Sequence, residues 1–195
     1  MTEIQNMKIA FFENSIIKSG LPMVVNYDEI SKSDIPSELD MKRAFTLAKN
    51  KPGTGHNNFL KGIRVQFDIK YPEYLSPEMQ RYHWFDIVSS MSKMHRLIKM
   101  RITVDNCNKY VDERIMVIVN EYIDIYNVDP SYYNFMKVVS NCPLGFEKWM
   151  TIDTNYLQLK TIYLQRKNHK LKEDWGCICE AIKLLPYANE LIIEG

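Results

Sequence analysis

The alternation at residues 63–70 constrains this chain more than any other feature in it. Ile63, Val65, Phe67 and Ile69 are apolar, and Arg64, Gln66, Asp68 and Lys70 between them are polar. A period of two sends successive side chains to opposite faces, so the segment reads as a strand with one buried face. Tyr71-Pro72 stops it. Ser76-Pro77 then reads as a helix start, with Ser76 as the N-cap acceptor and Pro77 at the first helical position, where its missing N–H is not needed. That helix is expected to carry Arg81, Tyr82, His83 and Trp84, with Ser89, Ser90 and Ser92 following. No other part of the chain gathers so many basic, aromatic and hydroxyl groups, and the stretch is the natural candidate for an anion site.

The residues before it build the approach to the strand. Met7–Phe12 reads as a short first strand, and Ser19-Gly20-Leu21-Pro22 as a turn. Ser37 is positioned to cap a helix, with Asp40 at the reciprocal box position and Met41, Ala44, Phe45 and Ala48 as its apolar stripe. Pro52-Gly53 ends that helix. The loop Gly53-Thr54-Gly55-His56-Asn57-Asn58 has two readings. It is a plain helix-to-strand connector, or a place where two glycines let the backbone approach a ligand and His56 offers a donor.

Beyond the central stretch, Arg101–Val104 reads as a strand or an extended connection. Asp112–Tyr126 reads as a helix, with Ile115, Ile118, Val119, Tyr122 and Tyr126 on one buried face. A further helix follows Asp129-Pro130, with Tyr132, Phe135, Met136 and Val139 as its stripe. Asn155–Lys167 reads as a helix capped by Thr154 or Asp153. Asn155 and Arg166 are eleven steps apart, which places them on one face at roughly 16 Å. Such a pair could hold the two ends of an extended ligand, or Arg166 could simply pair with a carboxylate. The last helix, Leu171–Leu185, spaces Leu171, Trp175, Ile178, Ile182 and Leu185 as a packing seam.

Composition limits the classes of function. The formal net charge of +1 gives no bulk attraction to nucleic acid or to a membrane surface. The longest apolar run, Ile115–Val119, is far too short to span a bilayer. The first residues lack the basic-then-apolar pattern of a secretory signal, so a cytoplasmic protein is expected. The four cysteines form no Cys-x-x-Cys pair and are expected to be reduced thiols. The four histidines are dispersed, and no metal site is expected. With 195 residues, no repeat and no linker, one domain over 1–195 is expected.

Two blocks resemble the flavin-dependent thymidylate synthase family. The first has the family's order of a Gly-His turn (Gly55-His56), an amphipathic strand (Ile63–Ile69), an Arg-His-Arg-like motif (Arg81-Tyr82-His83) and a following serine (Ser92). The second is Pro143–Trp175, where Pro143, Asn155, Leu159, Arg166 and the segment Leu171–Trp175 fall on the family's C-terminal pattern. The resemblance implies an α+β fold, with a central, mostly antiparallel sheet and packed helices. It implies a homotetramer with sites between subunits, binding FAD and a pyrimidine nucleotide. Methylenetetrahydrofolate and NADPH would be co-substrates in the methylation of dUMP to dTMP.

Carried over residue by residue, His56, Arg81, His83 and Asn155 would contact the flavin. Arg81, Ser90, Ser92, Arg96 and Arg166 would hold the nucleotide. Arg166 and Ser92 would stand nearest the chemistry, because a planar guanidinium can stabilise charge developing on a pyrimidine carbonyl. The sequence also departs from the pattern. In direct register Tyr82 replaces the motif's central histidine and His83 its second arginine, and the serine position falls on Met91. Sliding by one restores His83 and Ser92 but loses both arginines. An arginine expected before Pro143 falls on Val139. Each charge-assisted bond removed is worth about 1.5–3 kcal/mol, so two other readings stay open: a nucleotide-binding protein without turnover on the same fold, and an interaction protein with no ligand. Lys93, His95 and Arg96 could supply the missing charge.

Overall fold

The computed structural model describes residues 1–30 and 32–194. Its centre is a four-stranded sheet in the order β1-β2-β4-β3, built from β1 (Glu3–Ala10), β2 (Arg64–Pro72), β3 (Asp86–Ser90) and β4 (Glu147–Asn155). All three pairings are antiparallel. The helices are α1 (Phe12–Lys18), α2 (Glu38–Ala48), α3 (Ser76–Met79), α4 (Lys93–Arg96), α5 (Glu113–Val128), α6 (Tyr132–Asn141), α7 (Tyr156–Arg166) and α8 (Lys172–Lys183). This is the α+β arrangement that the resemblance implies, with the antiparallel sheet at its centre. Among the described residues, no helix is long and apolar enough to cross a membrane.

The alternation of β2 does what it predicts. Val65, Phe67 and Ile69 are buried, and they lie opposite Thr154, Ile152 and Met150 of β4. Their face meets α7 and α8, where Tyr156, Leu159, Ile162, Trp175, Ile178 and Ile182 complete the larger core. A second, smaller core joins Leu97, Ile102, Cys107, Met116, Val119, Ile123, Val138 and Phe146. Both outer strands are irregular. β1 shifts register against β2 between Gln5 and Lys8, with Asn6 at a left-handed φ of 53°, and β3 shifts against β4 between Ile87 and Ser89.

The capping box of α2 forms as the sequence indicates. Ser37 Oγ accepts from the Asp40 backbone N–H, and Asp40 Oδ2 accepts from the Ser37 N–H at 3.0 Å. Several other expectations are corrected. α3 is a single turn whose N-cap is Leu75, with Ser76 already inside it. Residues 81–85 therefore follow a helix rather than ride on one, and 86–90 are a strand. β4 extends through Asp153 and Thr154, so the cap of α7 is Asn155, whose Oδ1 accepts from the Gln158 N–H at 3.0 Å. Of the two readings of Arg101–Val104, the strand does not form: residues 101–103 are a connection that runs extended into a helical turn beginning at Val104. The buried face of α5 is Met116, Val119 and Ile123, while Ile115 and Ile118 are exposed. α6 buries Asn134 and Val138, and its Tyr132 and Met136 are exposed.

Candidate functional site

The turn after α3 meets the far end of α7, bringing together residues more than eighty positions apart. Tyr82 is buried, with Phe85 and Trp175 edge-on to its ring at centroid distances of 6.5 and 5.9 Å. Its hydroxyl donates to Gln165 Oε1 at 3.1 Å and accepts from Arg166 Nε at 2.6 Å. Arg166 Nη1 donates to Glu78 Oε2 at 3.0 Å. The guanidinium lies 4.5 Å from the Trp175 ring centroid and 5.4 Å from that of Tyr82, both within cation–π range. The same Glu78 oxygen accepts from Trp175 Nε1 at 2.8 Å and stands 3.5 Å from His169 Nε2. The Arg166 side chain is only 12% exposed. Three side chains, Tyr82, Glu78 and Trp175, thus fix both the plane and the direction of the guanidinium.

The remaining basic and hydroxyl candidates continue from this knot along β3 and α4. Arg81 and His83 flank Tyr82 and are exposed. Thr154 Oγ1 donates to the Trp84 carbonyl at 2.6 Å, which fastens the turn to β4. Ser90 sits in β3 and lines a groove of about 380 Å³ together with Gln5, Asp68, Ser89, Trp149 and Thr151. Hydrogen bonds from Asn6 (2.7 Å) and Thr151 (2.6 Å) hold the Asp68 carboxyl below the usual carboxylate range, so the groove carries a negative charge. Ser92 caps α4 and accepts from the His95 N–H at 3.3 Å. Arg96 closes α4 and contacts Met91 Sδ.

His56 and Asn155 sit on other elements. Asn155 is 2% exposed at the start of α7, and Arg166 is the last residue of the same helix. Its amide oxygen is engaged as the cap, so the spacing that put the two on one face does not make them two free ends of a ligand site. His56 is exposed in a loop where Gly53 and Gly55 have φ of 93° and 86°, a region that favours glycine. The loop is anchored from beneath. Asn57 Nδ2 donates to the Asn50 carbonyl at 2.7 Å, and buried Lys160 of α7 donates to the Ala48 carbonyl and to that of Asn50 at 3.2 Å. Burial pushes the Lys160 ammonium below the usual lysine range.

The donor chemistry of residues 81–96 suits a phosphate-bearing cofactor. Arg81, His83, Lys93, His95 and Arg96 offer five basic side chains along sixteen residues. Asn155 fits such a role less well, being buried and already bonded. Sequence reasoning missed Glu78, His169 and Trp175 as parts of the site. No local signal announces them, because the Glu78–Arg166 pair spans 88 positions.

No family model matches the sequence, and no curated protein matches it. Solved structures do. One is the flavin-dependent thymidylate synthase ThyX from Helicobacter pylori complexed with FAD and dUMP. It superposes at a TM-score of 0.67 and 14% identity, over 98% of this chain and 97% of that one. A second structure of ThyX from the same organism with FAD and dUMP gives 0.66 and 15%, again over 98% and 97%. The fold is therefore that of these synthases across the length of both chains.

Proposed function

We propose that this protein binds FAD and a pyrimidine deoxynucleotide in a crevice completed by a second copy of the chain. There it methylates dUMP as flavin-dependent thymidylate synthases do, with methylenetetrahydrofolate and NADPH as co-substrates. The observation that carries this reading is the full-length likeness to a synthase complexed with FAD and dUMP. It is strengthened by the meeting of the Arg81–Tyr82 turn with Arg166. Bound flavin would supply the hydride that completes the methyl group.

The chain's own residues bind and orient. Arg81, His83 and Arg96 hold phosphate oxygens by charge-assisted bonds. Ser90 and Ser92 offer hydroxyls along the nucleotide. His56 borders the flavin, and Asn155 braces the start of α7 behind it. Arg166 donates to a pyrimidine carbonyl, where negative charge develops. The exposed apolar faces of α5 and α6 meet other copies in a tetramer, and the cytoplasm is the expected compartment.

A second reading is nucleotide binding without turnover, and one observation favours it. Arg166 already faces a carboxylate at 3.0 Å, which offsets much of the field it could exert on a substrate. The visible spectrum of the purified protein, dUMP titration, and tritium release from 5-tritiated dUMP with both co-substrates separate the readings. A flavin spectrum, saturable dUMP binding and tritium release are expected. Binding of both ligands without release would leave the second reading, and affinity for neither would overturn both.

A further inference from the structure

A guanidinium has five N–H donors in a fixed plane. In Arg166 one is taken by Tyr82 Oη and one by Glu78 Oε2, while the ring of Trp175 covers a face. The Glu78 carboxylate balances the charge, and it is itself held by Trp175 Nε1. What Arg166 has left is a set of directed N–H groups with little net charge behind them. Such an edge suits a neutral carbonyl. It suits phosphate poorly, since phosphate would have to share the cation with Glu78 at close range.

We infer that Glu78 determines what Arg166 recognises. It occupies the anion seat of the guanidinium, so Arg166 reads an uncharged carbonyl edge and leaves phosphate to Arg81 and Arg96. This rests on the reading of Arg166 as nucleotide-facing given above. Trp175 and Tyr82 keep the plane of the guanidinium fixed while Glu78 sets its charge.

The test is calorimetric titration of inorganic phosphate into wild type, E78Q, E78D, R166Q and the E78Q/R166Q double variant. E78Q is expected to bind phosphate about 10–100-fold more tightly than wild type, the range of one charged hydrogen bond. The gain shrinks with added salt and vanishes in the double variant. E78D stays near wild type, and R166Q leaves wild-type phosphate binding unchanged. The inference is overturned by no gain in E78Q, by a gain that survives in the double variant, or by weaker phosphate binding in R166Q. Should circular dichroism show E78Q unfolded, the comparison of wild type with R166Q decides alone. Deoxyuridine and dUMP are titrated in parallel. A wild type that binds neither removes the functional reading, while the phosphate series still decides the role of Glu78.

Discussion

Tyr82 is where the two sequence blocks become one structure. Its hydroxyl links Gln165 and Arg166 to the turn after α3. The sequence marked Arg81, Tyr82 and Arg166 as important. It left a carboxylate as one of two readings for Arg166 but could not name Glu78, because that contact depends on how α3 and α7 come together. Another residue-scale consequence concerns the thiols. Burial pushes Cys107 up to about 11 and Cys142 up to about 12. Both keep their protons in the folded chain after the unfolded chain, with a thiol near 8.5, has lost them. Their contribution is fully present below about pH 8.5 and is lost progressively toward pH 11–12. Urea unfolding across this range is expected to show falling stability, with a shallower fall in Cys142→Ala. An unchanged slope in that variant would assign the loss to other groups.

At the scale of elements, legibility followed the clarity of the pattern. β2 alternates without a break, and α2 has both halves of its capping box, so both were readable. β3 reads Asp-Ile-Val-Ser-Ser and is exposed along its length, which leaves no buried face to give it a period. β4 places Trp149 between inward Met150 and the Lys148 side chain, blurring its alternation. α5 is apolar on two sides. Met116, Val119 and Ile123 form the face that packs inward, and Ile115, Ile118, Tyr122 and Ile125 form a second stripe about a third of a turn away. Helical periodicity alone does not separate the two stripes, and the pattern Ile115, Ile118, Tyr122 falls on the second. Most of that stripe stays open to solvent, with Ile118 and Ile125 each nearly half exposed and Tyr122 packed against the smaller core; Tyr132, Tyr133 and Met136 of α6 are exposed as well. Ile118→Lys is expected to lower the oligomeric mass seen by light scattering while leaving the far-ultraviolet circular dichroism intact. A wild type that is already monomeric would remove the assembly role of this face.

For the whole molecule, the sheet and the smaller core meet at one tight crossing. The Asn108 N–H donates to the Gly145 carbonyl at 2.8 Å, and Cys107 forms an isolated bridge with Phe146. A Cβ at Gly145 would fall 2.3 Å from Val111 Cγ2 and 2.9 Å from Asn108 Oδ1. Gly145→Ala is expected to cost about 1–3 kcal/mol in chemical denaturation, the range of core overpacking. An unchanged midpoint would mean that Val111 and Asn108 can move aside. Nothing local in the sequence singles out Gly145, since what packs above it comes from residues more than thirty positions away.

The register shifts in β1 and β3 lie on the two outer strands of the sheet. An outer strand that runs straight offers its free N–H and C=O groups to any similar strand, and sheets of separate molecules then join edge to edge. Here each margin is kinked in its middle, by Asn6 on one side and by Val88 on the other. The ladder has no straight rail on which a neighbour could extend it, and this protects a crowded solution of the protein from polymerising through its sheet.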